Sequence, residues 1–434
     1  MNDELEVWID SNLQPATRVG ILFNVRGNVR FEYEKAWLKS GLAFQLDPTL
    51  TLDTAPFYPT NGSSNFGVFL DSSPDRWGKK LMQRREAMQA KDDKRLPRNL
   101  HAWDFLIGVQ DETRQGALRF RLTGTSAYLG AEKRAAPPVT SLQELESIAK
   151  ALSDDKIDNL DDLRRWLAVL VAPGASLGGA RPKANFREAD NSLWIAKFPA
   201  AEDRTNVGLW EHVLHVLARR ASIDVPPAKL VQFNSKFHTL CSKRFDRDAS
   251  GQRVFYASAF TMLRKVENSD DASYIDIAQF IQDHGGDPAH DLAQLFRRVV
   301  FNVCVGNRDD HLRNHGFILG AGGWRLSPAF DVNPSSKEAH VLSIDGATNE
   351  SNLVAVRTSA WAYNLNDQQA DEIIEHVMAT VDDWDFEAAN QGLTAAEILE
   401  MSPSFNARLV YRDRTQELTG TALKSPRPRR VSPT

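Results

Sequence analysis

The sequence predicts an α+β protein of two lobes, a sheet-bearing N-terminal half and a mainly helical C-terminal half with a cleft between them. Three observations carry this. Short β-type runs crowd the chain before about residue 245, amphipathic helical stripes dominate from Tyr256 onward, and a series of polar motifs falls at the joins between apolar segments.

A chain of 434 residues, 42% apolar and 25% charged, is too long for one ordinary core and has the make-up of a globular protein, so two or three packed subdomains are expected. Cys241 and Cys304 sit in apolar stretches with no partner at CxxC spacing, which makes them reduced core residues. No apolar run reaches about 18 residues, and the acidic N-terminus has no signal-peptide apolar segment, so a cytoplasmic protein without a membrane span is expected. The formal net charge of −5 argues against a whole-protein grip on nucleic acid phosphates. One local exception, Asp75 to Arg98, has nine Lys or Arg against four Asp or Glu; it reads as a solvated helix face or as a surface for an acidic partner.

The elements follow in order. Arg18 to Tyr33 holds two β-type runs with Gly27-Asn28 between them, the composition of a tight hairpin turn. Ser-Pro-Asp at residues 73–75 opens a basic helix near Pro74. Gly116 to Leu122 is a further strand candidate, and Tyr128 to Ser141, with paired prolines, reads as a linker. A helical stretch runs from Leu142 to Leu170; beyond it comes a Gly-rich turn, the strand LWIAKFP, and a helix from Leu209 to Arg220 with Trp210, Val213, Leu214 and Leu217 on one face. KLVQF and FHTLCSKRF follow as strands. Leu292, Leu295, Phe296, Val299 and Val303 then form an apolar stripe that Gly306 ends. The proline-rich basic C-terminus reads as disordered. The expected division is 1–135, 136–245, 246–420 and a 421–434 tail.

The chemistry lies in the spacing of GNRDDHLRN, Gly306 to Asn314, and the SPAFDVNPS that follows. Asp309 and Asn314 have the D-x-x-x-x-N spacing of a kinase catalytic loop, in which Asp accepts the substrate hydroxyl proton and Asn holds magnesium; Asp331 supplies a second metal ligand. Phosphoryl transfer needs such a set because Mg²⁺, a hard cation, must neutralise charge while one carboxylate stays free to orient the nucleophile. Upstream, SLGGARPKA, Ser176 to Ala184, is a Gly-rich turn whose N–H groups can wrap phosphates, although it lacks the Gly-Lys-Ser/Thr of a Walker loop. Lys197, alone in an apolar strand, needs an anion. Glu211 borders the apolar face of the next helix, either holding Lys197 or simply solvated. The Lys243 carbonyl and Phe245 amide fall where a kinase hinge would read an adenine edge. The order of these parts along the chain is that of a bilobal kinase.

At these residues the chain resembles the HipA family, whose kinase-like fold carries an SxxGAxxK-type loop, an RFDR segment, a GNxDxHxxN loop and a downstream metal Asp. The matching segments are SLGGARPK, Arg244 to Arg247, GNRDDHLRN and AFDVNPS, and FEYEKAWL, SPDRWGKKLMQRRE and RQGALRF look like the family's N-terminal subdomain. The resemblance implies a Mg²⁺- and ATP-dependent Ser/Thr protein kinase, with aminoacyl-tRNA synthetases as the family's known targets. It also implies a HipB-like helix-turn-helix antitoxin that carries most of the DNA contact. By position it assigns Gly178, Gly179, Ala180, Arg181, Lys183, Lys197, Lys243, Arg244, Phe245, His311, Asn314, Phe330 and Asp331 to the nucleotide. Asn314 and Asp331 take the metal, Asp309 the catalytic role, and Ser176 an inactivating autophosphorylation. Lys243 stands where the family often has Glu.

Other readings are a small-molecule or lipid kinase of related fold, a catalytically silent antitoxin-binding corepressor, and a metal phosphohydrolase built on Asp309, Asp310, His311, His315 and Asp331.

Overall fold

A computed structural model describes residues 4–25, 28–59, 62–131, 136–153, 181–265 and 272–412. Three antiparallel sheets organise them. β1 (Glu4–Ser11), β2 (Gln14–Val25), β3 (Asn28–Tyr33) and β4 (Leu118–Leu122) form the first, in the order β3-β2-β1-β4. Alternation along β1 sends Leu5, Val7 and Ile9 inward. They pack there with Phe31, Trp37, Phe69 and Trp103.

The second sheet runs β5-β6-β8-β7, from β5 (Lys183–Arg187), β6 (Leu193–Lys197), β7 (Ala228–Val231) and β8 (Thr239–Lys243). One core holds its Ala184, Phe186, Ala196 and Cys241 together with Leu145 and Ile148 of the helix Leu142–Ser153 and with Trp77, Leu81 and Met82 of the helix Arg76–Asp92. The basic helix is therefore a structural wall of this sheet, with only its outer side solvated. Asp75 caps it, accepting the Gly78 N–H at 2.8 Å.

The third core is helical and the largest, built on Val207–Arg220, Tyr274–His284, Pro288–Val305 and Asp367–Val381. Gly306 ends Pro288–Val305 in a left-handed conformation with φ 65°, and a Cβ there would lie 2.6 Å from the Ser404 carbonyl oxygen, so this stop needs glycine. Both cysteines are buried, and burial pushes their thiols up to about 12.

The structure differs from the sequence expectations in three places. β1 precedes the anticipated hairpin, and its partner β4 lies far along the chain, so no local turn signals the pairing. The helical half contains a third sheet, β11-β10-β9, from β9 (Tyr256–Ser258), β10 (Gly316–Gly320) and β11 (Gly323–Leu326). Its strands are short, and glycines bound β10 and open β11, which hides them from a periodicity argument. The expected linker is engaged as well: the Arg187 N–H donates to the Pro137 carbonyl at 2.8 Å, and Pro138 bridges to Arg187 in parallel, so the paired prolines line the edge of β5. Gly27 of the hairpin turn, residues 154–170 of the anticipated helix and the basic tail lie outside the described residues.

Candidate active site

β6 presents Ile195 and Lys197 on one face, two residues apart. Both line a cleft between the second sheet and the helical core, walled by the apolar side chains of Val225, Leu240 and Phe330, the kind of lining that receives a small organic ligand. Phe330 stacks on Phe245 with ring centroids 5.5 Å apart, closing one side.

Three elements bring charge to one end of this cleft. Lys197 Nζ donates to Glu211 Oε1 at 2.5 Å and to Asp331 Oδ1 at 2.7 Å. Burial works against the Lys197 charge, yet Asp331 and Glu211 outweigh it and hold the ammonium well above its ordinary pKa. Burial likewise opposes the Asp331 carboxylate, and Lys197 holds it below the usual carboxylate range. Asp331 adopts φ 58°, a left-handed conformation that L residues rarely take. Such strain persists only where the surroundings impose it, as they do at binding and catalytic sites.

The segment Gly306–His315 hangs between the helix Pro288–Val305 and β10, and its two adjacent aspartates have opposite environments. Asp310 is buried and accepts from Tyr274 Oη at 2.6 Å, Asn302 Nδ2 at 2.9 Å and His315 Nε2 at 2.7 Å. Asp309 is exposed and pairs with Lys337. Asp310 therefore braces the loop, while Asp309 is presented to solvent. Asn314 is 5% exposed, and its Oδ1 has no hydrogen-bond partner among the described residues. An orphaned buried acceptor oxygen costs free energy unless something binds it. An amide oxygen and the Asp331 carboxylate are donors of the kind that a hard, oxygen-seeking cation such as Mg²⁺ takes.

The remaining predicted residues divide. Lys183 lines the cleft but is paired with Asp75 at 2.6 Å. Arg181 turns to Asp203, donating at 2.7 and 2.6 Å. Lys243, Arg244 and Phe245 border the cleft. The Arg244 side chain is taken up by Asp246 and Asn185, and the Lys243 N–H by the Pro227 carbonyl. Ser176, Gly178, Gly179 and Ala180 lie outside the described residues. His311 sits in the loop with its Nδ1 buried and unbonded. The five residues of the phosphohydrolase alternative do not converge, since Asp310 and His315 are spent on each other. Among the described residues no group of three His, Cys, Asp or Glu side chains is arranged to hold a metal. Sequence reasoning named Asp310 only as a ligand of the phosphohydrolase alternative and missed Asp75 and Lys337; of these two only Asp75 left a signal, as a helix cap.

Two family models match the chain, the HipA N-terminal domain over residues 5–120 and the HipA-like C-terminal domain over residues 175–384. The chain belongs to the HipA family. Its serine/threonine-protein kinase toxin HipA from Shewanella oneidensis is 23% identical over 333 residues, 69% of this chain and 68% of that protein. A putative kinase of Haemophilus influenzae is 28% identical over 179 residues, 36% of this chain; the chain spans about half, 52%, of that relative's length. The solved complex of HipA, HipB and operator DNA from Shewanella oneidensis MR-1 matches with a TM-score of 0.65 at 17% identity, covering 96% of this chain and 100% of that one. The fold is thus the α+β, bilobal HipA fold. No described helix is long and apolar enough to cross a membrane.

Proposed function

We propose that this HipA-family protein is a Mg²⁺- and ATP-dependent Ser/Thr kinase acting on a protein in the cytoplasm. The observation that carries the proposal is Lys197, held between Glu211 and Asp331 at one end of an apolar cleft. Strand lysine, helix glutamate and metal aspartate are the arrangement that positions nucleotide phosphates for transfer.

The apolar walls receive the adenine, with the Lys243 carbonyl and Phe245 amide at its edge. Lys197 and Lys183, with the Gly-rich segment 176–184, meet the phosphates. Asn314 and Asp331 would hold Mg²⁺, which when bound neutralises charge on the transferring phosphoryl group. Asp309 accepts the proton of a substrate Ser or Thr hydroxyl as its oxygen attacks the γ-phosphorus and ADP leaves. Asp309 is free to do this because Asp310 takes the bracing role next to it.

Family precedent makes an aminoacyl-tRNA synthetase the substrate to try first, with growth arrest as the consequence. It also makes a HipB-like antitoxin the partner, contacting DNA on behalf of the pair. Phosphate on Ser176 would place about two negative charges where the nucleotide phosphates must lie, an off switch by repulsion. Intact mass and phosphosite mapping after incubation with Mg²⁺ and ATP test the reading. Wild type gains phosphate, on itself or on an added synthetase, and Asp309→Gln does not; equal labelling of both would refute the role of Asp309.

A further inference from the structure

We infer that one turn of the N-terminal subdomain, Asp71 to Asp75, is a strut across the two lobes, with Asp75 positioning Lys183 for the nucleotide phosphates and Asp71 anchoring the strand beside the exit of the catalytic loop. This rests on the kinase reading of the cleft.

Two carboxylates four residues apart reach opposite sides of the site. Asp71, last residue of the helix Gly67–Asp71, accepts the Ser258 N–H at 2.7 Å and its Oγ–H at 2.8 Å. Ser258 pairs with Gly316 across β9 and β10, and the next N–H, of Ala259, donates to the His315 carbonyl at 2.8 Å. Asp71 therefore grips β9, the neighbour of the strand β10 into which the Asp309–Asn314 segment runs. The grip is close, because a Cβ on Gly67 would meet Thr261 Oγ1 at 2.6 Å.

On the other side, Asp75 Oδ2 lies 2.6 Å from Lys183 Nζ, with the two side chains 4% and 3% exposed. Lys183 is the cross-strand neighbour of Lys197. Two ammonium groups directly opposite on adjacent strands repel, and Asp75 supplies the charge that Glu211 and Asp331, engaged with Lys197, do not. The turn between the two carboxylates is itself fixed: Arg114 Nη1 donates to the Ser72 carbonyl at 3.0 Å and Ser73 Oγ to the Phe69 carbonyl at 2.8 Å. The N-terminal subdomain thus completes the site in cis.

The full chain is tested by calorimetric titration with Mg-ATP. Asp75→Asn is expected to weaken binding about tenfold, within the range for contacting, coupled pairs. The same change made in Lys183→Met should have almost no further effect, which a merely structural role would not produce. Asp75→Glu keeps the charge, guards against a variant that does not fold, and should restore most of the affinity. Asp71→Asn should instead lower the rate of phosphate transfer while leaving the ATP KM within about twofold. A folded Asp75→Asn that binds Mg-ATP like wild type while Lys183→Met is impaired overturns the strut alone, as does a folded Asp75→Glu that binds no better than Asp75→Asn. A wild type that binds no Mg-ATP overturns the kinase reading and the strut with it.

Discussion

Lys197 and Asp309 have opposite surroundings. Around Lys197 the charge is matched within the protein by Glu211 and Asp331, carried on separate elements, so the geometry is set before any ligand arrives. Asp309 pairs with Lys337, and the two side chains are 62% and 50% exposed. Nucleotide phosphates are the same for every kinase and reward a preorganised site. A protein acceptor must come and go, and an open acid with a loose partner leaves room for it. On the proposed kinase reading, the matched charges lie where the ligand is invariant and the exposed acid where the acceptor varies.

Removing the exposed carboxylate should separate chemistry from binding most sharply. Asp309→Asn is expected to slow phosphate transfer by about 10²–10⁴-fold, the usual loss of a general base, with Mg-ATP affinity and melting temperature unchanged. The locked side has the opposite vulnerability. Asp246, beyond the hinge, accepts from Arg244 Nη2 at 2.5 Å, Arg247 Nη1 at 2.9 Å and the Gly116 N–H at 2.8 Å. Asp246→Asn leaves two buried guanidinium groups uncompensated and should cost about 3–5 kcal/mol in urea denaturation.

Asp71 sharpens the contrast through pH. Burial pushes its carboxyl up to about 6 despite bonds from Ser258 and Thr261. A folded-state pKa above the unfolded value means the protonated form favours the fold. That contribution is complete below about pH 4 and is lost as pH rises through about 6. The stability of wild type relative to Asp71→Asn should therefore fall by on the order of 2–3 kcal/mol across that window. The smallest effect belongs to the exposed pair: Lys337→Ala should change stability by less than about 1 kcal/mol, and a larger loss would show that Asp309 is more tightly held than described.

Much of this site was legible because its residues punctuate apolar segments. Gly306 stops a striped helix, Asp309 and Asn314 keep their spacing just beyond, and Lys197 interrupts an apolar strand, so each could be placed on an element by pattern alone. Glu211 could not be told from a solvated helix carboxylate, because its partner Lys197 sits on a separate strand and the third member of the group, Asp331, lies far along the chain and is delivered by a non-repeating loop. Asp310 was hidden by its twin: adjacent aspartates look alike in sequence, and only burial beside Tyr274, Asn302 and His315 separates brace from base. Likewise β9, β10 and β11 are too short to show alternation, and the contacts of Asp71 and Asp75 span subdomains.

The most direct test of the account is Mg-ATP affinity measured by calorimetry on wild type, Lys197→Met and Asp309→Asn. The account predicts that wild type and Asp309→Asn bind alike while Lys197→Met binds at least about tenfold more weakly. Loss of binding in Asp309→Asn with full binding in Lys197→Met would contradict it, because the nucleotide would then sit at Asp309 rather than at Lys197.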